Sequence, residues 1–339
     1  MPENPRLESI QAKSRVNPAV LIVADVGGTY ARVALVSVRR GGSPEILGYH
    51  KYACAEHPDL ASILRRFIDE KTDGGIRAAV VAIAGVLDGD TLVNANLPWP
   101  VSLERTRQAA ALQGLHLIND FEAVAYAIPH LQVGGLLPLT GEQPHHFQWP
   151  ALVLGPGTGL GAALRFEGGE RPVLASEVGH SALAPANELE MDILRRLMKR
   201  WPHVDNERVL SGSGLMNLYP CLCEIRGSAP RWQTPEQLIA AANAGQDALA
   251  VETLQVFCGW LGSLIGDLVI AFGARSVYLA GGIPAHIENF LRAPAFRERY
   301  FNKGVLGHVL RHVPIWRVDH GQLGIVGAAA WFADQPARD

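Results

Sequence analysis

The sequence predicts an α/β fold of two similar halves facing one another across a cleft. Three observations lead there. One strand–turn–strand–turn–strand unit occurs twice. Strand-like and helix-like patterns follow each copy. The chain has 339 residues, 48% of them apolar, enough for a sizeable core and for two domains.

The first copy opens on the apolar run Val20 to Ala24 and turns through Asp25-Val26-Gly27-Gly28-Thr29. It resumes as ARVALVSV and reaches Gly41-Gly42 before the strand EILGYHKY. The second opens on ALVLG and turns through Gly155-Pro156-Gly157-Thr158-Gly159. It resumes as LGAALRF and turns at Gly168-Gly169 into RPVLA. Gly-Gly steps between alternating runs are hairpin signals. HPDLASILRRFIDEK predicts a helix, and IRAAVVAIAG a buried strand. LHLIND is a strand running into the helix FEAVAYAIPHL. NELEMDILRRLMKRW predicts a helix, SVYLAGGI a strand ending in a Gly-Gly turn, and GIVGAAAWFA the last helix. No low-complexity linker separates the halves, so the boundary near Pro129 is soft.

A net charge of -3 without a long basic run argues against nucleic acid as the main partner. The four cysteines, Cys54, Cys221, Cys223 and Cys258, are too irregular for a disulfide framework and fit a reducing cytoplasm. Residues 1–18 are polar, lack the apolar centre of a signal peptide, and read as a disordered extension. The stretch VFCGWLGSLIGDLVIAFGA is interrupted by Asp267 and flanked by Glu252 and Gln255. It predicts a buried helix rather than a membrane span, which needs ~20 predominantly apolar residues.

The Gly-Thr turns carry the first chemical signal. Glycines at 27, 28, 155, 157, 159 and 161 let backbone approach a ligand. Successive free N–H groups in such turns make an anion nest, to which Thr29 and Thr158 add hydroxyls. A single turn of this kind reads equally well as an ordinary hairpin; two matched turns favour a phosphate cradle. The chain has no G-x-x-x-x-G-K-[ST], which excludes a P-loop. Gly157 to Ala162 matches G-x-G-x-x-A, with Glu177 at a suitable distance for a ribose acid. A dinucleotide fingerprint must open a helix, however, and this one runs into an alternating strand.

Several acids and one histidine are the other candidates. Asp25 ends a buried strand beside Gly27-Gly28, either as an Asx-turn residue or as a carboxylate facing Mg²⁺ through water. Asp120 follows Asn119 at a strand-to-helix junction, as a helix N-cap or as a general base kept ionised by the helix terminus. Glu177 and His180 lie three apart in ASEVGHSALAP, a surface loop or a set of hydroxyl-binding groups. Glu207, in DNERVLSGSGL, reads first as an acid in the first turn of a helix.

The set DVGGTYAR, INDFEAVAYAIP, LGPGTGLGAAL, EVGHSALAP, ERVLSGSGLMNLY and LAGGI resembles the bacterial glucokinase family, in order, from about residue 20 to about residue 330. The resemblance implies a two-domain hexokinase/actin-like (ribonuclease H-like) ATPase fold. It implies ATP and glucose as substrates, Mg²⁺ as cofactor and glucose 6-phosphate as product, with neither nucleic acid nor membrane as partner. A homodimer is compatible with it. By resemblance Asp120 is the catalytic base, and Asn119, Glu177, His180 and Glu207 bind sugar. Gly27, Gly28 and Thr29 match the first phosphate loop, and Gly157, Thr158 and Gly159 the second. Gly281 and Gly282 match a turn on the adenosine side. VNANLPW resembles a loop that closes over the sugar, with Asn96 its polar contact. The small domain would span 19–130, with the helix 322–334 returning to it, and the large domain 131–321.

The sequence departs from that pattern in places. Tyr30 stands where the family has Asn, Pro156 and Val178 stand for Ala and Gly, and Ser213 stands for Pro. A kinase for mannose, glucosamine or fructose, or a non-enzymatic sugar sensor on the same fold, are the alternatives. A related family of kinases and repressors carries a Cys-x-Cys-Gly zinc motif. Here Cys221-Leu222-Cys223 is followed by Glu224-Ile225-Arg226, short of the four ligands structural zinc needs. Elemental analysis of purified protein is expected to find no stoichiometric zinc; one zinc per chain would overturn this.

Overall fold

The computed structural model describes residues 18–72, 75–93, 97–132, 135–141, 147–319 and 321–335. The first copy of the repeated unit forms β1 (Ala19–Val26), β2 (Tyr30–Val38) and β3 (Glu45–Ala53). Helix α1 (Leu60–Lys71) leads to β4 (Ala78–Ile83). Its cap is the Asp59 carboxylate, which accepts from the Ser62 amide, and it buries Ile63, Leu64 and Phe67 on one face. A small sheet of β5 (Val86–Asp88), β6 (Thr91–Val93) and β7 (Val101–Ser102) follows. Then come α2 (Leu103–Ala109), β8 (Gly114–Ile118) and α3 (Asp120–Ala127).

The second half opens on the edge strand β9 (Leu137–Thr140). The second copy forms β10 (Ala151–Pro156), β11 (Leu160–Arg165) and β12 (Val173–Ser176). Helices α4 (Glu188–Leu197), α5 (Gly212–Ile225), α6 (Pro235–Asn243) and α7 (Ala248–Phe272) precede β13 (Ser276–Leu279). The short α8 (Glu288–Leu291), α9 (Pro294–Phe301) and α10 (Gly307–Leu310) lead to β14 (Ile315–Arg317) and α11 (Leu323–Asp334).

The two main sheets have one topology. Their orders are β3-β2-β1-β4-β8 and β12-β11-β10-β13-β14-β9. In each, the first strand pairs antiparallel with the second, and the second with the third. On the other side the first strand pairs parallel with one crossover strand, which pairs parallel with a second. The sequence repeat is therefore a structural repeat, with β9 added at one edge. Because β11 is a strand, the G-x-G-x-x-A match is not a dinucleotide fingerprint.

Helix α7 is long and apolar enough to cross a membrane by length and composition, yet 72% of its most apolar stretch is buried. Gly262 and Gly266 let α9 approach closely, the space for a Cβ being taken by the Phe296 and Tyr300 carbonyl oxygens. Asp267 turns outward and pairs with Lys303 at 2.6 Å. Cys221 and Cys223 are buried thiols on α5.

The two halves meet through a pair of helices. Helix α11 packs on β1, β2 and β4 of the first sheet, and α3 packs on β10, β11 and β12 of the second. They cross where Gly327 faces Ala123, and a Cβ on Gly327 would overlap the Ala123 carbonyl oxygen. Overpacking at such a crossing costs roughly 1–3 kcal/mol. Gly327→Ala is expected to lower the unfolding free energy from urea titration by that order, and an unchanged value would show that the helices are free to separate.

Candidate active site

Three carboxylates from three separate segments, Asp25, Asp120 and Glu177, come close enough for two of them to act on the third. Asp25 ends β1, is 7% exposed, and lies opposite Arg32 of β2 in the hairpin register. The Arg32 guanidinium donates to its Oδ2 at 3.3 Å. Gly324, at the start of α11, leaves room for this carboxylate; a Cβ there would press on the Asp25 Cγ at 2.7 Å.

Asp120 opens α3 but does not cap it. Asn119 is the cap, its Oδ1 accepting from the amides of Phe121 at 2.9 Å and Glu122 at 3.0 Å. Asp120 accepts at Oδ1 from Phe121 N at 2.9 Å, and among the described residues Oδ2 takes no hydrogen bond from another residue. The helix terminus does not hold this group in the ordinary carboxylate range either. Burial, and then repulsion from Asp25, push the Asp120 carboxyl up to about 6, and Glu177 adds to the rise. The amides of Phe121 and Asp120 pull the other way and are outweighed.

Phe121 fixes where this helix start stands. Its ring occupies the space a Cβ would need on Gly161 of β11, so α3 is pressed against the second Gly-Thr turn.

The two turns are built alike. Gly27 N donates to Tyr30 O at 3.0 Å, and Gly157 N to Gly159 O at 2.8 Å. Both amides are thus spent closing their turns. The amides of Gly28, Thr29, Thr158 and Gly159 take no acceptor among the described residues. A further glycine-rich turn abuts the second loop. Gly281 has φ of 90°, where a side chain is strained, and a Cβ there would overlap the Pro156 carbonyl oxygen. Gly212 N, at the start of α5, donates to Gly157 O at 2.8 Å.

The remaining polar candidates meet beside this loop. Val178–His180 form one turn of 3₁₀ helix, with Glu177 just before it. Glu207 N donates to Gly179 O at 2.9 Å, which joins the two segments. Glu207 lies in a turn ahead of α5, not in the first turn of a helix. Its Oε2 accepts from Leu160 N at 2.8 Å and packs on Gly159, so it braces the second turn. His180 is exposed, with Nδ1 3.8 Å from Asp205 Oδ2. Asn96 lies outside the described residues.

A family model described as Glucokinase matches residues 22–335. The chain belongs to the glucokinase family. A protein named glucokinase-like from Xylella fastidiosa (strain 9a5c) is 44% identical over 321 residues, 93% of this chain and 95% of the relative. A glucokinase from Saccharophagus degradans is 36% identical over 313 residues, 92% of this chain and 97% of the relative. A crystal structure of glucokinase from an Antarctic psychrotroph matches with a TM-score of 0.80 at 32% identity, over 93% of this chain and 99% of that one. The protein is therefore a sugar kinase on the two-domain hexokinase/actin-like ATPase fold.

Within this member of the glucokinase family, sequence reasoning missed Arg32, Gly324 and Asp205. Arg32 was within reach of it, because a hairpin closed at residues 27–30 sets residue 25 opposite 32. Among the described residues no three His, Cys, Asp or Glu side chains are grouped to hold a metal ion. Mg²⁺ in phosphate sites takes one or two carboxylates and keeps several waters. The repulsion that Asp25 and Glu177 exert on Asp120 fits such a cation.

Asp120 also makes a stability prediction. Its folded pKa lies above the unfolded value, so ionisation opposes folding. The stability it contributes is present below about pH 4 and lost as pH rises through about 6. A shift of that size corresponds to about 3 kcal/mol. In metal-free buffer, Asp120→Asn is expected to raise Tm at pH 8 by several degrees, with the gain vanishing toward pH 4. A Tm at pH 8 equal to or below wild type would show that the carboxylate is not under strain.

Proposed function

We propose that the protein transfers the γ-phosphoryl group of ATP to the 6-hydroxyl of glucose, giving ADP and glucose 6-phosphate. The observation that carries this reading is the convergence of Asp25, Asp120 and Glu177 beside two Gly-Thr turns with free amides. Phosphoryl transfer asks for little covalent chemistry, so the work is positioning and charge stabilisation.

In this reading the sugar lies against Asn119, Asp120, Glu177, His180 and Glu207, with Asn96 as a further polar contact. Asp120 accepts the 6-hydroxyl proton on Oδ2, the oxygen that Phe121 leaves free. The hydroxyl oxygen bonds to the γ-phosphorus as the bond from that phosphorus to the β-bridging oxygen breaks. A base near 6 is ionised at neutral pH and close enough in pKa to take the proton. Gly28 and Thr29 with Gly27, and Thr158 and Gly159 with Gly157, hold the phosphates from two sides. Gly281 and Gly282 leave space for the adenosine side. Bound Mg²⁺, facing Asp25 through water, would neutralise the β- and γ-phosphate charge.

The domain division follows: residues 19–130 with helix 322–334 form the small domain, and 131–321 the large one. Closure on sugar would exclude water, the competing nucleophile, and limit idle ATP hydrolysis. Free ATP and Mg²⁺ are at hand in the cytoplasm, where we place the enzyme.

A coupled assay across hexoses and phosphoryl donors tests the assignment. Glucose with ATP is expected to give the highest kcat/KM; no turnover of any hexose would overturn it. Asp120→Asn should lower kcat by roughly 10²–10⁴-fold. Glu177→Gln and His180→Ala should raise KM for glucose by roughly 10–100-fold, the loss of a charged hydrogen bond, and leave KM for ATP nearly unchanged. Equal effects on both substrates would make this loop a structural element.

A further inference from the structure

A groove of about 1460 Å³ opens at the far end of the two bridging helices. Its walls come from both halves: Arg40 from the β2–β3 hairpin, Phe166 to Ala175 from the β11–β12 hairpin, Tyr126 from α3, and Trp331 from α11. None of these residues belongs to the site described above.

Arg165 is the unusual group in this groove. Its guanidinium carbon lies 5.2 Å from the Tyr126 ring centroid and 5.7 Å from that of Trp149. Its Nε and Nη1 are buried and have no hydrogen-bond partner among the described residues. Glu122, Glu170 and Asp334 also line the groove, yet none is within ion-pair distance of Arg165. Burial lowers its pKa, Asp334 pulling the other way. Burying an unpaired cation is costly, and aromatic faces offset only part of that cost. Arg40 and Arg171 stand at the exposed rim, one from each half. Phe166 at 38% and Leu174 at 52% exposure add an uncovered apolar wall. Guanidinium groups over a concave apolar surface suit an organic oxyanion.

The groove also communicates with the cleft. Helix α3 starts at Asp120 and presents Glu122 and Tyr126 here. Helix α11 starts beside Asp25 and ends at Asp334, about 15 Å along its axis. A ligand that ties the two hairpins together biases how the halves stand, and hence the cleft.

We propose that this groove is a second ligand site, which takes a small organic anion, a phosphate ester or a carboxylate with an apolar body, on Arg165 and thereby changes sugar affinity in the cleft. The binding half is independent of the sugar assignment; the coupling half rests on it.

Calorimetric titration of the full chain with phenyl phosphate and with benzoate, at constant ionic strength and with chloride as control, tests the site. One probe is expected to bind one-to-one, and which one does so separates phosphate from carboxylate recognition. Arg165→Met should weaken that binding at least about tenfold and leave kcat without probe within about twofold. Thr158→Val, at the cleft, should leave probe binding unchanged. Should Arg165→Met fail to fold, the exposed pair Arg40→Ala and Arg171→Ala reads the same site, with a loss of at least about threefold. Neither probe exceeding chloride, binding that survives these arginine substitutions, or binding lost in Thr158→Val would overturn the site. Saturating probe should also shift KM for glucose by at least about threefold. An unchanged KM would remove the coupling and leave the site.

Discussion

Helix α3 is held between two surfaces that tolerate no Cβ, and the chemistry depends on that confinement. On one side Phe121 lies on Gly161 of the second sheet; on the other Ala123 lies against Gly327 of α11. The helix is only eight residues long, too short to hold its shape alone. Its direction is therefore set by what it touches, and both contacts involve backbone approached at the closest distance that sterics permit. Asp120 inherits its place from Phe121, its neighbour in the chain. The second Gly-Thr turn inherits its own from β11, on which Phe121 rests. The base and the phosphate-side backbone are thus parts of one packed unit, not two loops that happen to meet.

That unit is built at an electrostatic cost. Asp25 and Glu177 both repel the buried Asp120 carboxylate, and among the described residues only Arg32 forms an ion pair with any of the three. A structure selected for stability alone would separate these groups or give each a cation. Their convergence makes sense when a ligand brings the missing charge and hydrogen-bond donors, a divalent ion on one side and sugar hydroxyls on the other. Strain at a functional site is tolerated because the surrounding packing over-determines it, and here α3, α11 and the two sheets supply that packing.

Much of the fold was legible because it is written twice. Alternation, Gly-Thr turns and Gly-Gly hairpins repeat in the same order, and local hairpin rules convert them into sheet register. The site was legible as residue types at chain punctuation: acids after strands, glycines in turns. What sequence could not supply was the division of labour between neighbours. Asp120 reads from sequence as either cap or base, and only the geometry assigns the cap to Asn119 and frees Asp120. Glu207 looked like a helix acid because nothing local shows that it reaches the Leu160 amide, 47 residues earlier in the chain. The small sheet β5–β7 escaped because strands of two or three residues carry too few alternations to be read.

Tyr30 shows how a departure from a family pattern is absorbed. A ring in place of a small amide, next to the first phosphate turn, threatens to crowd the cleft. Instead the ring is taken up against the edge strand, where Lys51 Nζ stands 3.6 Å from its centroid. The β2–β3 register sets Lys51 opposite Arg32, and Arg32 is opposite Asp25, so one row across three strands reads acid, cation, cation. The ring thereby gives a platform that steadies a second cation near the turn. The change at Tyr30 is best understood together with Lys51, since the ring without the cation would add bulk and the cation without the ring would be a solvated side chain with no fixed position.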